Sequence, residues 1–319
     1  KGISIGKTDY VAYPYGIDFY TNAPIGYLWF LIKNFFNILA TPVLSYNLQV
    51  ILNYFLTAFI TYFFVFFITG SRYGAFFSGI VLGLCPYMFV RSWQHLGETF
   101  QWMASLFLLS LFRLKYQNNF KIKIFFILSF ILTTINFSGI YYASVILGVF
   151  LVYAAFKWDK NRSYILQILR LLLVSLIFLI PQFFFIFKNV LFSKNTLPSA
   201  HNIYLRPFED LFAQSARPLS YFLPAVVHPI FGKFTENFVG MQLYGTSFTE
   251  HTLYLGWTPL VLAFVTFRRW RKKRKLLAIS YQLSTENFYI GFFISLVIAA
   301  WFFSQPPWWN ILGLKIYMP

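Results

Sequence analysis

Side chains able to do chemistry are scarce in this sequence, and they gather in three places. The first holds Asp9, then Tyr13, Pro14, Tyr15, Gly16 and Asp18, followed by Asn22 and Pro24. Pro and Gly favour a turn here with an acid on either side. A carboxylate held in such a turn can take the proton of an attacking hydroxyl as a general base; the plainer alternative is that Asp18 caps the turn and Asp9 is solvated. The second cluster runs from Pro86 to Trp102 and contains Arg91, His95, Glu98 and Gln101. A helix starting near His95 puts His95, Glu98 and Trp102 on one face. Arg91 and His95 could then bind a phosphate with Glu98 beside it as base or acid, or the group could simply cap helices and anchor a tryptophan. Pro86 is expected to kink its helix.

The third cluster is longer and looser: Arg206, Glu209, Asp210, Arg217, Pro218, His228, Pro229, Glu236, Tyr244, Glu250, His251 and Tyr254. Long connections without strong periodicity are often lids or binding loops, and residues 207–214 read as a short helix within this one. His228, Glu236 and His251 can be drawn as metal ligands, but their spacing fits no compact ligand motif. A divalent metal is therefore possible but unsupported, and no cofactor is assigned.

The elements that must position these residues are apolar. Of 319 residues, 58% are hydrophobic and 11% charged, whereas soluble domains carry roughly 25% charge. A span of the hydrocarbon needs about 20 apolar residues, and eight stretches meet or approach that length: 45–69, 74–90, 100–112, 124–137, 139–156, 164–187, 251–267 and 288–303. The third and fourth are short. Residues 24–40, interrupted by Lys33 and Asn34, read as an interfacial helix. The fold class expected is an all-α polytopic membrane protein, one transmembrane domain over 1–319, with a first external loop at 1–44 and a large one at 188–250.

Basic residues sort consistently across these spans. Arg72, then Arg113, Lys115, Lys121 and Lys123, then Lys157, Lys160, Arg162 and Arg170, then the run 268–275 (RRWRKKRK) all fall on one side, while seven of the nine acids fall on the other. Lys and Arg mark the cytoplasmic face, so the three clusters are expected outside and the cell membrane is the expected location. The net charge of +17 is then topological, and nucleic-acid binding loses its motive. The 268–275 run reads as a grip on anionic lipid, at about 1 kcal/mol per cation. Trp308 and Trp309 read as an interfacial aromatic belt. The spans are nearly free of charge, which leaves no proton relay or ion path through the bundle, and they mostly lack deep polar residues. No glycine-rich phosphate loop occurs on the basic side.

Taken in order, several short motifs resemble the extracytoplasmic-facing membrane glycosyltransferases of the GT-C fold, in particular the bacterial YfhO-like branch. They are Pro14-Tyr15-Gly16-Ile17-Asp18 with Asn22 and Pro24, Tyr46-Asn47, Thr69-Gly70-Ser71-Arg72, Gly83-Leu84-Cys85-Pro86-Tyr87 and His95-Leu96. Pro218, His228-Pro229, Glu250 and Tyr254-Leu255-Gly256 follow. The resemblance implies transfer of a sugar from a polyprenyl-phosphate donor to an external glycan, lipid or protein acceptor, with inversion at the anomeric carbon. It implies a base in the first external loop, Asp18 or Asp9 in this chain, with Glu98 as a further candidate. Substrate-binding roles would fall to Arg91, His95, Gln101, Arg217, His228, Glu236, Glu250 and Tyr254. The chain starts at Lys1 and stops at Pro319 where such enzymes continue, so the resemblance implies a fragment, with the family's principal acid in the stretch upstream of Lys1 unless Asp9 or Asp18 takes that role. The alternative activity is transport of a lipid-linked saccharide, which would need polar residues deep in the bundle.

Overall fold

A computed structural model of the chain describes residues 7–8, 17–18, 35–38, 40–134, 137–156, 158–192, 208–239, 244, 253–276, 281–311 and 314–317. These residues are overwhelmingly helical. The elements in order are β1 (Lys7–Thr8), β2 (Ile17–Asp18), α1 (Pro42–Thr69), α2 (Arg72–Gly83), α3 (Pro86–Gln94), α4 (Gln101–Tyr116), α5 (Phe120–Thr134), α6 (Phe137–Ala155) and α7 (Trp158–Phe192). Then come α8 (Phe208–Gln214), α9 (Gly232–Glu236), α10 (Trp257–Leu276), α11 (Tyr281–Phe303), β3 (Trp308–Ile311) and β4 (Leu314–Tyr317). Among the described residues four helical stretches are long and apolar enough to cross a membrane: Pro42–Thr69, Arg72–Trp93, Ser138–Ala155 and Asn161–Ile180. Phe288–Phe303 is a shorter apolar stretch. The chain forms two compact units, one of residues 1–79, 96–144 and 157–205, the other of 80–95, 145–156 and 206–319.

In the first unit, α1 is set by its ends. Thr41 accepts from the Leu44 amide at the N-terminus, Pro42 occupies the first turn, and Gly70 closes the helix in the left-handed region at φ 65°, returning its N–H to the Phe66 carbonyl. Only glycine takes that conformation cheaply. Along the helix, Ser45, Gln49, Asn53, Thr57 and Thr61 recur every four residues, and all five are buried. The opposite side carries Ile51, Phe55, Phe59 and Phe63, all exposed. This is the reverse of a soluble amphipathic helix, in which the polar stripe faces solvent. It fits a helix whose surroundings are lipid and whose neighbours are protein.

The polar stripe faces α4, which runs parallel to α1. Asn53 pairs with Thr99 and Trp102, and Thr61 pairs with Ser105 at 3.0 Å. Antiparallel α5 continues the pattern. Ser129 donates to Ser110 at 2.6 Å, and Thr133 donates to the Met103 carbonyl at 3.0 Å. Between these contacts Phe107 packs on Phe126 and Phe130. On α7, Tyr164 bonds the Leu111 carbonyl and Gln167 donates to Asn118. The sequence reading expected spans with few deep polar groups. The structure corrects that: the groups are there, uncharged and in register every fourth residue, with Asn53 and Thr61 bonded toward α4, Gln49 bonded back to Ser45, and Thr57 Oγ1 buried without a partner among the described residues.

Length keeps two of the eight expected stretches from qualifying as spans, and composition a third. The 16 residues of α4 and 15 of α5 extend roughly 22–24 Å at 1.5 Å each, short of the roughly 30 Å hydrocarbon. Helix α10 is 20 residues long, but its last two turns are the basic run, where Arg268 lies over Phe264 and Arg271 over Phe267. The interfacial helix expected at 24–40 lies outside the described residues except at 35–38, which are helical, and at 40.

In the second unit, Cys85 is extended and Pro86 starts α3, so Pro86 begins a fresh helix where a kink was expected. The end of α6 packs on α11: Phe150 meets Phe288 and Phe292, and Tyr153 meets Phe288 at 5.3 Å. Strands β3 and β4 form an antiparallel hairpin with Trp308 opposite Tyr317.

Candidate functional site

The most elaborate side-chain arrangement in the second unit is built on the segment following α8. This helix, expected at 207–214, spans Phe208–Gln214. Arg217 is extended and Pro218 initiates a 3-10 turn over Pro218–Tyr221. That turn is fastened to the end of α11: the Ala216 amide donates to the Ser304 carbonyl at 2.8 Å, and Tyr221 Oη and Ser304 Oγ lie 2.5 Å apart. Two further bonds tie it to the entry of α10. The Leu255 amide donates to the Tyr221 carbonyl, and Trp257 Nε1 donates to the Phe222 carbonyl at 2.8 Å.

Fastened in this way, Arg217 is only 5% exposed. Its Nη2 donates to the Phe212 carbonyl at 2.7 Å, and its guanidinium sits 4.2 Å from the Phe212 ring centroid. A cation near the last carbonyls of a helix is favoured electrostatically, and the face of an aromatic ring adds cation–π attraction. Burial nonetheless lowers the Arg217 pKa from its ordinary value, because charge is disfavoured away from water. The stack continues past Phe212. Trp308 lies against Phe212 at 5.1 Å and against Phe208 at 5.4 Å, and Lys315 Nζ is 5.5 Å from the Trp308 ring. Two cations therefore bracket two stacked aromatic rings.

Around this stack, Phe231 meets Trp257 edge-on at 4.8 Å, and Tyr254 Oη accepts the Trp257 amide at 3.2 Å. His228 Nδ1 accepts from the Ile230 and Phe231 amides, both at 3.2 Å. An accepting Nδ1 has no proton of its own, so His228 serves as a turn cap with its proton on Nε2. Thr235 donates to the Pro224 carbonyl at 2.9 Å and closes the loop onto α9. The arrangement offers a desolvated guanidinium and broad aromatic faces. Guanidinium groups recognise phosphate, and aromatic faces pack against apolar surfaces such as one side of a sugar ring.

No family model, characterised protein or solved structure matches the chain. The site must therefore be read from its own geometry.

The predicted site residues distribute unevenly. Arg217, His228 and Tyr254 lie in this segment, while Glu236 ends α9 and is exposed. Arg91 is buried in the last turn of α3 with its guanidinium 5.5 Å from the Tyr87 ring. His95 is the exposed C-cap of α3, its amide returning to the Arg91 carbonyl. No α-helix starts at His95: Leu96–Thr99 is a 3-10 turn and α4 begins at Gln101. The expected common face of His95, Glu98 and Trp102 is thereby corrected, and the boundary between the two compact units falls just after His95. Glu98 is half-buried in that turn. Gln101 Nε2 donates to the Glu98 carbonyl at 2.9 Å and to Tyr142 Oη at 3.1 Å, so its side chain braces α4 and α6. Asp18 lies in β2 opposite Lys7 in the ladder. Asp9, Glu250 and His251 lie outside the described residues. Among the described residues no three His, Cys, Asp or Glu side chains converge as a metal site.

Sequence reasoning missed Phe212, Tyr221, Trp257, Ser304 and Lys315, and assigned Trp308 to an aromatic belt. The Arg-Pro step at 217–218 was a usable signal, since Pro at the first turn position fixes a bend directly after the cation.

Proposed function

We propose that the chain belongs to an integral-membrane glycosyltransferase that moves a sugar from a polyprenyl-phosphate donor to an acceptor on the extracytoplasmic face. In this reading about eight spans and an interfacial helix carry the external loops, as in the GT-C fold. The observation that carries the proposal is the buried Arg217 guanidinium stacked on Phe212, whose ring in turn lies against Trp308, on the side of the chain that charge sorting assigns to the exterior. Four apolar helices of spanning length agree with a substrate presented from the bilayer.

Arg217 would hold the donor phosphate, and the faces of Trp308, Tyr254 and Trp257 would pack against the sugar or the first prenyl units. The acceptor hydroxyl oxygen attacks the anomeric carbon. The bond from that carbon to the phosphate oxygen breaks, its electron pair leaves with the lipid phosphate, and the hydroxyl proton passes to a carboxylate. Asp18, Asp9 or Glu98 is the candidate base. Arg217, with Arg91 and His95 as further candidates, stabilises the negative charge gathering on the leaving phosphate.

The second reading, transport of a lipid-linked saccharide, is favoured by one observation, the buried polar stripe of α1. Two of its five residues, Asn53 and Thr61, are occupied by bonds toward α4, which argues for packing over an open path at those levels. The deciding experiment incubates the full-length protein in membranes with radiolabelled polyprenyl-phosphate sugars. It compares wild type with Asp18→Asn and Arg217→Ala. Label reaching an external acceptor, lost in the variants at equal expression, supports the enzyme. Movement of the labelled lipid between leaflets without transfer would overturn it in favour of the transporter.

A further inference from the structure

On the first unit, Ile60, Phe63, Phe66 and Phe67 of α1, Leu106 and Leu109 of α4 and Phe125 of α5 line a groove of about 500 Å³. This is within the range of ligand cavities. Its one charged lining residue is Arg113, three residues before the end of α4. The Arg113 guanidinium lies 5.6 Å from the Phe67 ring, and its Nε is buried with no hydrogen-bond partner among the described residues. Leaving a buried cationic donor unpaired is costly. Between Glu98 and Asp159 the sequence carries no Asp or Glu, whereas Lys115, Lys121 and Lys123 lie at the same helix ends. Along one edge of the groove Phe63 is 44% exposed, on the same side of α1 as Phe55 and Phe59. The groove therefore opens on the apolar face that meets the bilayer.

We propose that this groove is a binding site for an anionic phospholipid, with an acyl chain along Phe63, Phe66, Leu106 and Phe125 and the phosphate at Arg113. Charge complementarity selects this occupant. A lipid without a phosphate fills the groove but leaves the Arg113 Nε unpaired, a zwitterionic phospholipid brings its own ammonium to helix ends that already carry Arg113, Lys115, Lys121 and Lys123, and a free phosphate pairs with Arg113 but leaves the aromatic walls bare. Planar guanidinium donors suit a phosphate in geometry as well as charge. The site is separate from the Arg217 stack and does not rest on the glycosyltransferase reading.

The test reconstitutes the full chain in phosphatidylcholine vesicles carrying a trace of phosphatidylglycerol or phosphatidylcholine with a photoactivatable acyl chain, and maps adducts by mass spectrometry. The phosphatidylglycerol probe should label residues 60–67 and 106–113 about tenfold more than the phosphatidylcholine probe, because the choline cation opposes the like charges of Arg113 and the neighbouring lysines. Arg113→Gln should erase that preference and Arg113→Lys should keep most of it. Leu106→Trp fills the groove while leaving Arg113 in place, and should suppress adducts from both probes. Equal labelling by the two headgroups in wild type, or a preference unchanged in Arg113→Gln, overturns the proposal. So does a preference abolished by excess inorganic phosphate at constant ionic strength, which would assign the cation to free phosphate.

Discussion

The side-chain amide of Asn53 donates to Thr99 Oγ1 at 2.8 Å, joining the middle of α1 to the turn that precedes α4. Its Oδ1 accepts Trp102 Nε1 at 3.2 Å, so one amide serves two residues of the neighbouring helix start. Thr99 is further held by its own bond to the Leu96 carbonyl. This junction fixes where α4 begins and its register on α1.

Replacing that amide should be felt by both partners. Asn53→Leu leaves Thr99 Oγ1 without a donor and the Trp102 indole without an acceptor, and should cost about 1–2 kcal/mol. Unfolding in mixed micelles measures it. A double-mutant cycle with Thr99→Val should show coupling of about 0.5 kcal/mol or more; purely additive losses would mean that the bond contributes nothing.

The stripe containing Asn53 shows what the sequence could and could not reveal. Apolar length made a helical chain with helices long enough to cross a membrane legible, and the short helix after residue 207 could be read from its residues. The spacing Ser45, Gln49, Asn53, Thr57, Thr61 was equally visible, but each residue is uncharged and small in a strongly apolar run, so averaged hydropathy hides it. The start of α4 was misplaced because His95, Glu98 and Trp102 fit a helical repeat by spacing alone. The 3-10 turn that breaks it depends on Thr99 bonding back to Leu96. The Arg217 stack was only half legible. It joins Phe212 to Trp308 across nearly a hundred residues, and no local pattern encodes a contact of that separation.

Close packing of α1 against α2 gives a second prediction. A Cβ on Gly79 would sit 2.5 Å from the Ala58 carbonyl oxygen, a backbone atom that cannot swing aside. Gly79→Ala should therefore destabilise the fold by about 1–3 kcal/mol through overpacking. Gly148 is the internal control, since its Cβ would meet nothing within 4 Å. Gly148→Ala should be neutral or stabilising by up to about 1 kcal/mol from helix propensity. Thermal melts of both variants in one detergent decide the matter, and equal melting temperatures would contradict the close approach.

Alkaline pH should loosen the clamp around Arg217. Burial raises the pKa of Tyr221, with its bond to Ser304 pulling the other way, and burial raises Tyr244 as well. The folded protein thus keeps phenol protons that the unfolded chain gives up above about pH 10. The unfolded state binds fewer protons there, so stability is full below that pH and falls as pH rises toward the folded pKa values. Tyr221→Phe should cost about 1 kcal/mol near neutrality for the lost bond to Ser304, and should flatten the alkaline decline. A variant with the wild-type slope above pH 10 would show that Tyr221 does not contribute to it.

The Arg217 stack separates a structural cation from a substrate-binding one. Lysine keeps the charge but cannot lie flat on Phe212 while donating to its carbonyl, because the bond and the stack require a planar, forked head. Arg217→Lys should lower stability by about 1 kcal/mol and Arg217→Ala by about 2 kcal/mol, which removes the cation–π contact and the carbonyl bond together. Lys315 brackets the other end of the stack from an exposed strand, so Lys315→Ala should change stability by less than about 0.5 kcal/mol. If Arg217 also holds the donor phosphate, Arg217→Lys should raise the KM for the lipid-linked sugar about tenfold or more, with the folded fraction verified by gel filtration. A purely structural Arg217 would instead lower the amount of active protein and leave the KM of the remainder unchanged.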